Sequence, residues 1–202
     1  MITIVNYGLG NLGSIKNMLR KAGYESQITS DPETISKAEK LILPGVGSFD
    51  KGMSNINNMG LRNVLEKKAL EEKVPVLGIC LGMQLMCAGS EEGILQGLGW
   101  IPADVLKFRF SEYAIKVPHM GWNSARVVKE NLLAEDNGED LRYYFVHSYY
   151  ARVREPKFSF MKTSYGIEFD SGVFLDNLYG VQFHPEKSHR FGMAMLTSFA
   201  KI

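Results

Sequence analysis

The feature that most constrains this chain is Val74-Pro75-Val76-Leu77-Gly78-Ile79, a run without a polar side chain. A strand with no polar alternation has both faces covered, the condition of a central strand in a parallel sheet packed between helices. The segments before it agree. Ile2 to Tyr7 reads as a buried strand, and Leu12, Ile15, Met18, Leu19 and Ala22 recur at helical spacing before Gly23 ends the helix. Tyr24 to Thr29 and Leu41 to Leu43 predict further strands, and Leu61 to Glu72 a helix. Asp31-Pro32 supplies an N-cap followed by proline at the first helical position. Such alternation predicts an α/β fold with a mostly parallel central sheet flanked by helices.

After about residue 98 the texture changes. Val105 to Phe110, Tyr143 to Val153 and Phe158 to Tyr165 are rich in aromatic and β-branched residues, and Gly166, Gly172 and Gly180 punctuate the stretch beyond them. These predict additional antiparallel strands. Met193 to Phe199 predicts a short closing helix. No linker interrupts residues 1–202, so one domain is expected.

Charge and cysteine content remove several function classes. With 23 basic and 22 acidic residues and a formal charge of +1, no basic stripe announces nucleic acid. No stretch approaches the roughly eighteen apolar residues of a membrane span. Two cysteines make neither a disulfide framework nor a zinc cluster, so no metal is expected, and no cofactor is expected either. The start Ile2-Thr3-Ile4-Val5, without a basic leader, predicts a cytoplasmic, reducing address.

The chemistry concentrates in two segments. Gly78-Ile79-Cys80-Leu81-Gly82 follows the apolar strand and precedes the helix-like Met83-Gln84-Leu85-Met86. A nucleophile between glycines at a strand-to-helix turn is a nucleophile elbow, here with cysteine. The helix N-terminus would favour the thiolate and offer free amides to an oxyanion. The plainer reading is a small buried cysteine beside packing glycines. A base and its orienter are needed as well. In Gly180-Val181-Gln182-Phe183-His184-Pro185-Glu186-Lys187 a strand-like run ends in His-Pro-Glu, and the proline stiffens a spacer that lets His184 and Glu186 project together.

Cys80 in its elbow followed by His184-Pro185-Glu186 resembles the class I glutamine amidotransferases, whose fold is flavodoxin-like. The likeness extends through Pro44 to Phe49, Gly78 to Leu85, Ser90 to Gly93, Lys116 to Asn123, Tyr144 to Tyr150 and Gly180 to Ser188, and is similar to the glutaminase subunits of imidazole glycerol phosphate synthase. It implies hydrolysis of L-glutamine with Cys80 as nucleophile, His184 as base and then acid, and Glu186 as its orienter. It implies an oxyanion turn at Gly45-Val46-Gly47, with the Val46 and Leu81 amides as donors. Gln84, Glu92 (with Glu91 as the neighbouring alternative), Ser148 and Tyr149 would bind glutamine. Ammonia would pass to a synthase subunit in a heterodimer, docked over a face that includes Asn11, Trp122, Asn123 and Lys187. Core filling is the alternative for Trp122.

Two other readings stay open. Gly8-Leu9-Gly10-Asn11-Leu12-Gly13, with Asp31 beyond it, fits the dinucleotide-binding fingerprint of a nicotinamide-dependent oxidoreductase. Paralogues of such glutaminases also feed ATP-dependent sugar amidotransferases. Ser48 to Met53 and Gly97 to Ile101 depart from the histidine-pathway pattern and leave the ammonia acceptor open between the two.

Overall fold

The computed structural model describes residues 1–110 and 115–202. Its first part alternates strand and helix: β1 (Ile2–Val5), α1 (Leu12–Lys21), β2 (Ser26–Thr29), α2 (Pro32–Ser36), β3 (Lys40–Gly45), α3 (Phe49–Asn58), α4 (Arg62–Glu66), β4 (Val76–Cys80) and α5 (Leu81–Leu85). Then come β5 (Gly89–Ser90), β6 (Ala103–Lys107), β7 (His119–Ser124), β8 (Arg126–Val127), β9 (Arg142–His147), β10 (Tyr149–Val153), β11 (Ser159–Tyr165), β12 (Ile167–Leu175), β13 (Leu178–Val181) and α6 (His189–Lys201).

Strands β2, β1, β3, β4 and β13 lie side by side and parallel. Antiparallel β12, β10 and β6 continue the sheet, while β7 and β9 form a separate antiparallel pair. The parallel half and its antiparallel extension are the two textures read from the sequence. All five residues of β4 are buried between β3 and β13, which is why that run carries no polar side chain. Successive residues feed opposite layers. Val5, Leu41, Leu43 and Val76 join the core with α3, α4 and α5, whereas Ile4, Ile42, Leu77 and Ile79 join the core with α1 and α6.

Local signals act as expected at the helix ends. The Asp31 carboxylate accepts from the amides of Glu33 and Thr34 and caps α2, and Gly23 follows α1 at φ +86°. Several segments differ from the sequence reading. The predicted Leu61–Glu72 helix is α4 followed by a π-helical turn, Lys67–Glu71. The closing helix starts earlier, at His189. Helix α3 and strand β7 carry too weak a local signal to be read. Four asparagine or serine residues and Gly52 lower helix propensity in α3, yet Phe49, Met53 and Ile56 form a fully buried stripe. No helix among the described residues is long and apolar enough to cross a membrane.

Candidate active site

Parallel pairing brings three strand ends to one edge of the sheet. Gly45 of β3 is in register with Cys80 of β4, and Ile79 with Val181 of β13. The turns after these strands therefore converge, at the carboxyl edge where open α/β sheets place their sites.

The elbow has the geometry that its glycines imply. Cys80 sits at φ 53°, ψ −111°, a left-handed region that costs a non-glycine residue about 1–3 kcal/mol, with α5 beginning at the next residue. A Cβ on Gly82 would lie 1.7 Å from the Leu43 carbonyl oxygen, and one on Gly78 2.7 Å from the Met83 backbone. Both glycines thus let α5 lie directly on the sheet and hold the strained residue at its tip.

Cys80 opens into a pocket of about 330 Å³ lined by Val46, Gly47, Leu81, Gln84, Glu92, Pro118, Val146, His147, Ser148 and Tyr149. His184, just past β13, is buried, and its Nδ1 lies 2.8 Å from Glu186 Oε1. Its backbone is fixed too. The His184 amide donates to the Tyr144 carbonyl, and Ser188 Oγ donates to the His184 carbonyl while accepting from the Tyr144 amide. With Nδ1 given to Glu186, Nε2 has no hydrogen-bond partner among the described residues. Burial pulls the basicity of His184 down, and the Cys80 and Glu186 side chains outweigh it and raise it. Cys87 is an inert contrast. It is fully buried, its Sγ donates to the Met83 carbonyl, and burial and Asp104 push its thiol up to about 12.

Gln182 had no role in the sequence reading. Its Nε2 donates to Cys80 Sγ at 3.6 Å, and its Oε1 accepts from Gln84 Nε2 at 3.0 Å. Gln84 also donates to the Tyr149 carbonyl at 3.1 Å, so its amide nitrogen is committed to the protein. The signal that could have found Gln182 is its position: a fully buried polar residue at a strand end, two before His184.

The two adjacent glutamates separate cleanly. Glu91 accepts from the Lys107 amide and from Arg109, and Arg109 holds its carboxyl below the ordinary range. Glu92 forms part of the pocket wall and accepts from the Phe49 amide at the start of α3. Asp50, in the first turn of that helix, accepts in turn from the Ile94 and Leu95 amides. Helix α3 and the 91–95 loop thus cap each other. Gly47, in the turn after β3 that the resemblance assigns to the oxyanion, sits at φ +121°, and Val46 beside it is exposed.

Of the four docking candidates, Trp122 and Lys187 lie together. Trp122 is 42% exposed, stacks on His189 and meets Tyr144 edge-on, while the Lys187 ammonium lies over the same Tyr144 ring. Trp122 is therefore a surface residue. Asn11 is exposed just before α1. Asn123 points to the other face of β7, with its amide donating to the Ser164 carbonyl and bonded to His119 Nε2.

The glycine-rich loop turns away from dinucleotide binding. A Cβ on Gly10 would lie 3.4 Å from Pro44 and Gly45, one on Gly47 would touch the Leu9 side chain, and Asp31, the residue that would read a ribose, is spent capping α2. The loop packs against the Pro44-to-Gly47 turn instead.

Comparison with known proteins bears on the same site. Residues 3–202 match the family model "Glutamine amidotransferase class-I". The chain is 55% identical to "Imidazole glycerol phosphate synthase subunit HisH 2" of Methanococcus maripaludis, across 100% of this chain and 99% of that protein. It is 44% identical to "Imidazole glycerol phosphate synthase subunit HisH" of Bdellovibrio bacteriovorus, across the whole of both. Among solved structures, a glutamine amidotransferase superposes with a TM-score of 0.75 at 16% identity, covering 100% of this chain and 99% of that one.

Proposed function

The chain belongs to the class I glutamine amidotransferases, and we propose that within them it is the glutaminase subunit of imidazole glycerol phosphate synthase, hydrolysing L-glutamine and passing ammonia to a cyclase-type synthase subunit. Full-length identity to relatives of that name supports this reading.

In this reading glutamine occupies the pocket with its amide carbon at Cys80 Sγ. His184 takes the thiol proton through Nε2 while Glu186 holds Nδ1–H. Sulfur attacks the carbonyl carbon, and the oxygen gathers charge near the Val46 and Leu81 amides. The C–N bond then breaks, His184 returns its proton to the leaving nitrogen, and ammonia departs. Water, deprotonated by His184, attacks the thioester, and the sulfur leaves to regenerate the thiol and release glutamate. Glu92 and the Gln84 carbonyl oxygen are the groups for the substrate's α-amino end. A synthase docked over Trp122, Lys187 and Asn11 would keep the ammonia from bulk water.

The observation that carries this reading is the division of labour on His184, with Nδ1 held by Glu186 and Nε2, which has no hydrogen-bond partner among the described residues, beside Cys80. The test is covalent. Glutamine is mixed with the chain and its synthase, the reaction is quenched, and the glutamyl adduct on Cys80 is followed by mass spectrometry. His184→Asn is expected to slow adduct formation by about a hundred-fold or more, and Glu186→Gln by less. Adduct formation at the normal rate by His184→Asn overturns the assignment. His147 is no substitute base, because its Nε2 is already bonded to His119 and burial lowers it to about 3.

The acceptor is tested separately. Of the two segments that depart from the histidine-pathway pattern, Ser48 to Met53 forms the start of α3, which caps the 91–95 loop and is capped by it, and Gly97 to Ile101 follows that loop, where Ile94 is 94% exposed. Reconstitution with the cyclase and, in parallel, with a sugar amidotransferase synthase separates the two partners: ammonia transfer to the sugar alone would overturn the pathway and leave the glutaminase standing.

A further inference from the structure

His119 and His147 face each other across the β7–β9 pair, in direct register. His119 Nδ1 lies 2.9 Å from His147 Nε2, His147 Nδ1 lies 2.8 Å from the Tyr149 carbonyl oxygen, and His119 Nε2 lies 3.1 Å from the Asn123 amide nitrogen. Both rings are buried, and both are clamped by aromatic neighbours: His119 between Phe145 and Tyr165, His147 against Phe108 and Phe169. Four ring nitrogens are thus committed to three bonds.

The direction of every bond is set by its ends. The Tyr149 carbonyl can only accept, so His147 Nδ1 carries a hydrogen. Burial lowers His147 to about 3 and His119 to about 4, so each ring holds a single proton at neutral pH. His147 Nε2 is therefore an acceptor, and His119 Nδ1 donates to it. That leaves His119 Nε2 as an acceptor for the Asn123 amide, whose nitrogen is identified by its second bond to the Ser164 carbonyl. One chain of donors runs from Asn123 through His119 and His147 to the Tyr149 carbonyl. That carbonyl also accepts from Gln84, whose amide bonds to Gln182, the donor to Cys80 Sγ.

We infer that His119 and His147 are positioning residues for glutamine: their one-way hydrogen-bond chain fixes the Tyr149 carbonyl, and through it the Gln84 side chain, in the wall of the substrate pocket. The kinetic part rests on the glutaminase reading. His147 lines the pocket, yet it has no free nitrogen to move a proton. Its contribution is to hold the backbone oxygen from behind while Gln84 holds it from the side. Without His147, the Tyr149 peptide loses a buried donor, and both walls of the pocket lose their common anchor.

Two measurements test the inference. The first does not depend on activity. Long-range ¹⁵N–¹H spectra of the full chain, labelled at histidine, report which nitrogen of each ring bears hydrogen. Both His119 and His147 are expected in the Nδ1–H form, and an Nε2–H form at either ring overturns the chain. The second is a split of kinetic constants in the presence of the synthase. His147→Phe keeps ring shape and removes both bonds; it is expected to raise KM for glutamine about ten-fold while kcat changes much less. His147→Asn, which returns a donor at the Nδ1 position, is expected to recover most of that loss. His119→Phe should act in the same sense and more weakly. An unchanged KM in His147→Phe, or a fall in kcat at constant KM, overturns the positioning role. If the wild-type chain hydrolyses no glutamine, the functional reading fails while the spectra still decide the chain of bonds.

Discussion

Gln182 Nε2 donates to Cys80 Sγ across 3.6 Å, from the residue that follows β13, the strand paired with the one that carries Cys80. A donor aimed at sulfur stabilises the thiolate more than the thiol, since bonds to an ionised acceptor are the stronger ones. Gln182→Leu removes it without opening a large cavity and is expected to slow thioester formation about ten-fold or more. Rapid-quench measurement of the Cys80 adduct checks this, with KM for glutamine much less affected than the acylation rate.

The two thiols should differ sharply in reactivity. Cys80 faces the pocket, whereas Cys87 is sealed in the core with its thiol pushed up to about 12. Brief treatment with iodoacetamide at pH 7 is expected to modify Cys80 alone, as read by peptide mass spectrometry. Glutamine turnover should vanish in Cys80→Ala and persist in Cys87→Ala.

Stability should respond to pH through the histidines in two windows of opposite sign. His119 and His147 are depressed from the ordinary 6.5 to about 4 and about 3. Between those values and 6.5 the unfolded chain binds more protons than the folded one, so stability falls as pH drops through that range. Each proton contributes a slope of up to about 1.4 kcal/mol per pH unit. His184 is raised, so its contribution is full below 6.5 and is lost as pH rises above it. Urea unfolding from pH 4 to pH 9 is expected to show a maximum between the two windows. The acid limb should flatten in His119→Phe and His147→Phe.

The isolated chain is expected to turn glutamine over slowly and to accelerate when the synthase docks. Gly45 and Gly47 flank Val46, and Gly47 already occupies φ +121°, so the peptide units there can reorient without a Cβ clash. One well-aimed oxyanion donor is worth roughly a hundred-fold in rate, enough for docking to gate turnover by favouring one orientation. Turnover is compared for the chain alone, with synthase, and with synthase plus acceptor. Gly47→Ala, strained at that φ, should reduce the activated rate. Full activity of the chain alone would rule out gating.

Most of the scaffold was legible because its causes are local. The apolar run before Cys80, the Gly78 and Gly82 pair and the Asp31-Pro32 cap each act within a few residues, and each appears where the sequence put it. Helix α3 was not legible. Its asparagines and Gly52 argue against helix, and only the core above it rewards the Phe49, Met53 and Ile56 stripe; Gly52 faces the tip of Leu85, 3.0 Å from where a Cβ would stand. Trp122 and Asn123 were grouped as neighbours in sequence. In β7 they face opposite ways, a consequence of the strand's two-residue period that a segment carrying Gly121 did not advertise.

The sequence by itself determined the chemistry this chain can perform: a thiol in an elbow, an imidazole and carboxylate joined by a stiff proline, and the strand that carries the thiol to the sheet edge. Only the tertiary structure decided which groups surround that thiol. The parallel pairing of β13 with β4 delivers Gln182 and His184 to Cys80, and the β7–β9 pair delivers the His119–His147 chain to the pocket wall. Those contacts join segments far apart along the chain. They depend on strand order and register, which hydrophobic patterning leaves free until the sheet is assembled.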